Sequence, residues 1–167
     1  MAAVISVVQN AGQSYASYAQ EVAKNISYLL PIDSATANKT ANPLHLPSDG
    51  TLYSYEVYIR CRCDLAPVVF CNNFKAWYDS GLPASNQILT VNNDEVATYE
   101  APVNIQSTRG TRAEFSDYDS DLNAIDLTGE LVNVGDYTSW LVFQLEVSSE
   151  ADTGSFAIEY TIQYDEA

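Results

Sequence analysis

The stretch that decides the fold is Phe156-Ala157-Ile158-Glu159-Tyr160-Thr161-Ile162-Gln163-Tyr164. Apolar side chains stand at 156, 158, 160, 162 and 164, and small or polar ones stand between them. A repeat of two places every large side chain on one face of an extended chain, whereas a helix would scatter the same residues around its axis. The segment is therefore a β-strand with one buried face, and its five inward residues predict a central position in a sheet.

The same period recurs upstream. Tyr53, Tyr55, Val57, Ile59, Cys61 and Cys63 alternate with Ser54, Glu56, Arg60 and Arg62, and Leu141, Phe143, Leu145 and Val147 alternate with Gln144 and Glu146. Weaker strand patterns occupy 68–78, 87–91, 96–99, 115–118 and 125–132. Turn-forming runs separate them: Asp79-Ser80-Gly81-Leu82-Pro83, Asn92-Asn93-Asp94 and Val134-Gly135-Asp136. Short strands at regular spacing, with no helical pattern after residue 50, predict a mainly β protein, an antiparallel β-sandwich or jelly roll.

The first fifty residues read differently. Tyr15, Tyr18, Val22, Ile26 and Leu29 fall at helical spacing between a capping Ser14 and a terminating Pro31, so 14–30 is a helix candidate, although its Tyr and β-branched content also suits a strand. A loop follows, with prolines at 43 and 47. The expected organisation is an arm over 1–50 and a β body over 51–167. Val4, Ile5, Val7 and Val8 form an apolar run with no adjacent hairpin partner. Two fates are open to it: addition to a sheet edge of a neighbouring copy, or pairing within its own chain.

Composition limits the function. Of 167 residues, 47% are apolar and 17% charged, which excludes disorder by low hydrophobicity and high charge. Twenty-two acidic against seven basic residues give a net charge of -15, so a phosphate backbone or an anionic membrane is repelled and neither is an expected partner. The N-terminus lacks the basic region and the apolar length of a signal peptide.

Each candidate for chemistry meets a physical objection. His45 is the sole histidine, lies in the proline-flanked loop and has no G-x-S-x-G nucleophile turn to serve. Cys61, Cys63 and Cys71 could join it as zinc ligands, but the first two continue the apolar row of a strand instead of a knuckle, which favours buried free thiols. A Cys63–Cys71 bridge, or a bridge to another chain, remains the further alternative. Asp117, Asp119 and Asp121 match the first three ligand positions of a calcium loop. Leu122 then stands where glycine must turn and Thr128 where a bidentate glutamate is needed, so an EF-hand is excluded and only a looser calcium site is left. No cofactor is expected. Among twelve tyrosines and two tryptophans, Tyr58, Trp77 and Trp140 lie off the main apolar rows and are the aromatic candidates for an exposed surface.

Three segments carry a resemblance: Asn73-Phe74-Lys75-Ala76-Trp77-Tyr78-Asp79-Ser80-Gly81-Leu82-Pro83, then Gly135-Asp136-Tyr137-Thr138-Ser139-Trp140-Leu141-Val142-Phe143-Gln144-Leu145, and Tyr160-Thr161-Ile162-Gln163-Tyr164-Asp165-Glu166. Together they resemble small β-sandwich structural proteins of tailed viruses and virus-like elements. That resemblance implies a non-enzymatic subunit made in the cytoplasm, which self-assembles in a virion, tail or filament with copies of itself and other particle proteins. It brings no catalytic residues. The alternative is a carbohydrate-binding or adhesive module, with a glycan stacked on Trp77, Trp140 and neighbouring tyrosines.

Overall fold

The computed structural model describes residues 2–10, 22–23, 29–31, 33, 40–81, 83–154 and 156–167. The described strands are β1 (Val4–Asn10), β2 (Val22–Ala23), β3 (Thr51–Tyr53), β4 (Val57–Leu65), β5 (Cys71–Ser80), β6 (Gln87–Asn92), β7 (Arg112–Glu114), β8 (Ile125–Leu127), β9 (Leu141–Ser148) and β10 (Glu159–Glu166). Seven form one sheet in the order β2-β1-β4-β9-β6-β7, with β3 also on β9; three form a second sheet, β10-β5-β8. Every pairing is antiparallel. The two sheets pack face to face, as the period-two segments require of a β-sandwich.

The interior follows from the alternation. Val57, Ile59, Cys61 and Cys63 of β4, with Leu141 and Phe143 of β9, meet Phe74 and Ala76 of β5 and Ile125 and Leu127 of β8. Phe115 fills the centre, edge-on to Phe143 at 5.0 Å and to Tyr78 at 6.1 Å, while Phe74 stacks on Tyr164 at 5.3 Å. Aromatic pairs in these offset and T-shaped geometries add to the burial of their area.

Several expectations are corrected. β10 runs from 159 to 166 as an edge strand, bonded to β5 alone, and Ile158, Tyr160, Ile162 and Tyr164 are half-buried instead of central. Its carboxylates Glu159, Asp165 and Glu166 mark it as an edge, because charge on an outer strand discourages pairing with another chain. Phe115–Asp117 is a single 3-10 turn, with the strand placed just before it, and at 96–99 only Val96 pairs, as a bridge to Trp140. Val22–Ala23 is a strand on β1 where the helical spacing predicts helix; the rest of the 14–30 candidate, apart from 29–30, lies outside the described residues. β1 pairs with β4 of its own chain from Val4 to Asn10, the second of the two fates open to the arm.

The largest departure concerns the outer face of the seven-stranded sheet. Alternation predicts solvent there, but Ser54, Glu56, Tyr58 and Gln144 are fully or almost fully buried. The crossing 93–111 covers them. Val96 and Tyr99 from that crossing pack on Tyr58, Trp140 and Val142, so this part of the sheet is buried on both faces.

Candidate functional site

The covering segment is fixed by a polar layer. Glu56 accepts hydrogen bonds from the Ser107 hydroxyl, the Val103 amide (3.2 Å) and the Tyr58 hydroxyl (3.4 Å), while its own amide donates to the Val103 carbonyl (3.1 Å). Arg109 donates to the Tyr58 hydroxyl at 3.2 Å and makes an ion pair with Glu100. Gln144 donates to the carbonyls of Ser54 (3.0 Å), Ile105 (2.8 Å) and Val103 (3.3 Å) and accepts from the Ser107 amide (2.8 Å). Burial pushes the Tyr58 phenol well above its ordinary pKa, reinforced by the Glu56 carboxylate beside it. Burial also lowers Arg112 to about 10, against the opposing pull of Glu56 and Glu146. A hydrogen-bonded layer of this kind fixes a loop.

Tyr58 and Trp140 belong to this interior and not to the surface. Their rings lie 5.9 Å apart and nearly perpendicular, with Tyr99 at 4.5 Å from Tyr58 and 5.6 Å from Trp140. The Arg60 guanidinium sits 3.5 Å over Tyr137 and 4.1 Å over Trp140, a double cation–π contact. Trp77, on β5, is half-buried. The three aromatics therefore do not form one exposed stacking platform.

The remaining candidates stay apart. His45 is exposed in its loop. Cys61, Cys63 and Cys71 are buried and unbridged; burial holds Cys61 up to about 12, and the Cys63 thiol donates to the Leu65 carbonyl at 3.3 Å. Asn123 donates to the Asp117 carbonyl, and Lys75 to that of Asp121 at 3.2 Å, so backbone oxygens close the 117–123 turn. Among the described residues no three His, Cys, Asp or Glu side chains are placed to hold a metal ion.

What the structure does assemble is an apolar end. Of ten large apolar side chains exposed among the described residues, six (Val4, Leu65, Val68, Val69, Val132 and Val134) occupy one end of the sandwich. Register places them together: Val4 pairs with Leu65, Val68 and Val69 occupy the turn that follows, and Leu131 bridges Cys71 at that turn's far side. The 132–136 loop is tied to β4 by Gly135 N–H to Cys63 C=O (2.9 Å) and Cys63 N–H to Asp136 C=O (3.0 Å).

These turns are firmly held. The Val69 amide donates to the Ala167 carbonyl, and the Asp136 carboxylate accepts from the amides of Val132 (2.8 Å) and Asn133 (2.7 Å), bonds that hold Asp136 below its ordinary pKa. The nearby carboxylates are partnered within the chain: Asp64 with Arg62 at 2.7 Å, Glu166 with the Ala3 amide at 2.7 Å. Exposed apolar side chains grouped on hydrogen-bonded turns are a candidate contact surface. Sequence reasoning missed it because Val68 and Val69 read as the start of a strand, and Val132 as the end of one.

Comparison with protein-family models, with curated proteins and with solved structures gives no match.

Proposed function

We propose that this chain is a non-enzymatic structural subunit that joins copies of itself into a particle, tail or filament of the virus-like kind, and that the apolar end is its contact face. The observation that carries the reading is the set of six exposed apolar side chains on hydrogen-bonded turns. Burying such surface against another copy releases water from both, and the driving force scales with the apolar area removed. Like-charged copies at -15 repel at a distance; at this face Asp64 is paired with Arg62, while Asp136 and Glu166 are held in place by backbone amides.

Sedimentation velocity over a concentration series tests the reading. The wild type is expected to form oligomers, and the double variant Val68→Asp with Val134→Asp to remain a folded monomer. A wild type that stays monomeric at all concentrations, or a variant that assembles equally well, contradicts it.

A further inference from the structure

Alternation gives the three-stranded sheet two faces of opposite character. Phe74 and Ala76 of β5, Ile162 of β10, and Ile125 and Leu127 of β8 turn to the core. Lys75, Trp77, Asp79, Thr161, Gln163 and Asp126 therefore turn outward. Asp79, Asp126 and Gln163 are exposed, so no further layer lies over this face. Trp77 is the one aromatic residue of the outward set.

Register groups these side chains. Lys75 stands between Gln163 on β10 and Asp126 on β8, and Trp77 stands opposite Thr161 one step further along. By strand geometry the Gln163–Lys75–Asp126 row crosses the sheet in about 10 Å and lies about 7 Å from the Trp77–Thr161 pair. Part of the polar equipment is already used: Asp79 accepts from the Thr161 hydroxyl at 2.7 Å, and Lys75 donates one proton to the Asp121 carbonyl at 3.2 Å. Among the described residues, the Trp77 indole N–H, the Gln163 amide and the Asp126 carboxylate have no hydrogen-bond partner.

The row thus offers free donors on Lys75 and Gln163 and free acceptors on Gln163 and Asp126, beside an open indole with a donor of its own. An ammonium ligand only donates, so it leaves the Lys75, Gln163 and Trp77 donors unfilled and faces the Lys75 charge. A carboxylate or phosphate only accepts, and it faces Asp79 and Asp126 in a protein already at -15. An apolar protein surface finds no second apolar side chain beside the ring. Hydroxyl groups donate and accept, and a neutral sugar ring carries them on its rim while presenting C–H bonds to an aromatic face.

We infer that the outer face of the small sheet binds a neutral pyranose, its C–H face stacked on Trp77 and its rim hydroxyls on Lys75, Asp126 and Gln163. Trp77 lies six residues along β5 from Cys71, and the assignment does not rest on the role of the apolar end.

Proton–nitrogen NMR tests it, because the chain has two indole N–H signals, from Trp77 and from the buried Trp140 as internal control. The probe is methyl β-glucoside, whose ring faces carry no axial hydroxyl, with methyl β-glucuronide and methyl β-glucosaminide as the matched anion and cation. Saturable shifts of the Trp77 indole and the Gln163 side-chain amide are expected at about 1–10 mM, with Trp140 unmoved and both charged sugars about threefold or more weaker. Trp77→Ala should abolish the Gln163 shift. The double variant Asp126→Ala with Gln163→Ala, at two exposed positions, should weaken binding at the Trp77 indole about fivefold or more, and it serves if Trp77→Ala misfolds. No saturable shift at Trp77, an equal response to either charged sugar, or undiminished binding by either variant overturns the inference.

Discussion

Replacing Gln144 by Leu distinguishes a solvent-facing residue from a structural clamp. The residue sits at a nominally outward position of β9, where a surface substitution costs within about 0.5 kcal/mol. In the fold it is 1% exposed and holds the covering segment through three hydrogen bonds, with a fourth to the Ser54 carbonyl. Leucine preserves the volume but removes a partner from four backbone groups. The Ile105 carbonyl lies in an exposed stretch and regains water, and the Val103 carbonyl keeps the Glu56 amide, so the buried Ser107 amide and Ser54 carbonyl carry most of the penalty. At about 1–3 kcal/mol for each orphaned group, less the gain from burying an apolar side chain, the expected loss is about 2–4 kcal/mol. For a chain of this size that lowers the melting temperature by roughly 5–15 °C. Urea denaturation monitored by circular dichroism measures it, with the exposed Gln163→Leu of β10 as the control. A loss below about 0.5 kcal/mol would show that 93–111 does not close over the sheet.

Other consequences are as direct. Gly81 has φ +92°, and a Cβ there would lie 1.7 Å from the Ala157 carbonyl oxygen, so Gly81→Ala should cost about 1–3 kcal/mol or more in thermal melts. Ile162 is half-buried on an edge strand, so Ile162→Ala should cost about 1–2 kcal/mol, below the range for a central core residue. Asp136 has its carboxyl pKa depressed by amide hydrogen bonds, so its contribution is present above the unfolded value near 3.8 and is lost as pH falls through the folded one. Asp136→Asn should flatten the acid limb of a stability–pH profile. Cys61 titrates near 12 instead of 9, so the thiol destabilises the fold progressively as pH rises above about 9, and alkylation near pH 8 should label it only in denaturant.

Much of the fold is legible in period two. The rows 57–63, 141–147 and 160–164 face inward as their spacing dictates, because a pleated strand leaves a side chain only two directions. Alternation does not reveal whether the second face is also covered. Tyr58 between Val57 and Ile59 already makes three apolar residues in a row, and Val96, Tyr99 and Val103 upstream of a long polar stretch need a surface to lie on; together these were the available signals for a third layer. The edge position of β10 is likewise a property of pairing order, for which the carboxylates Glu159, Asp165 and Glu166 were the one local signal. The apolar end was illegible for a related reason: it is built from residues at 4, 65, 68, 69, 132 and 134, and only the register between β1, β4 and the 131–136 loop brings them together.

The contact face is tested most directly by hydrogen exchange as a function of protein concentration. If copies join through the apolar end, amides of 65–71 and 131–136 should become more protected as concentration rises, while the 117–123 turn and the 93–111 segment should exchange at the same rate throughout. Protection that rises in those other segments, or a profile independent of concentration in a sample that has assembled, would contradict the account.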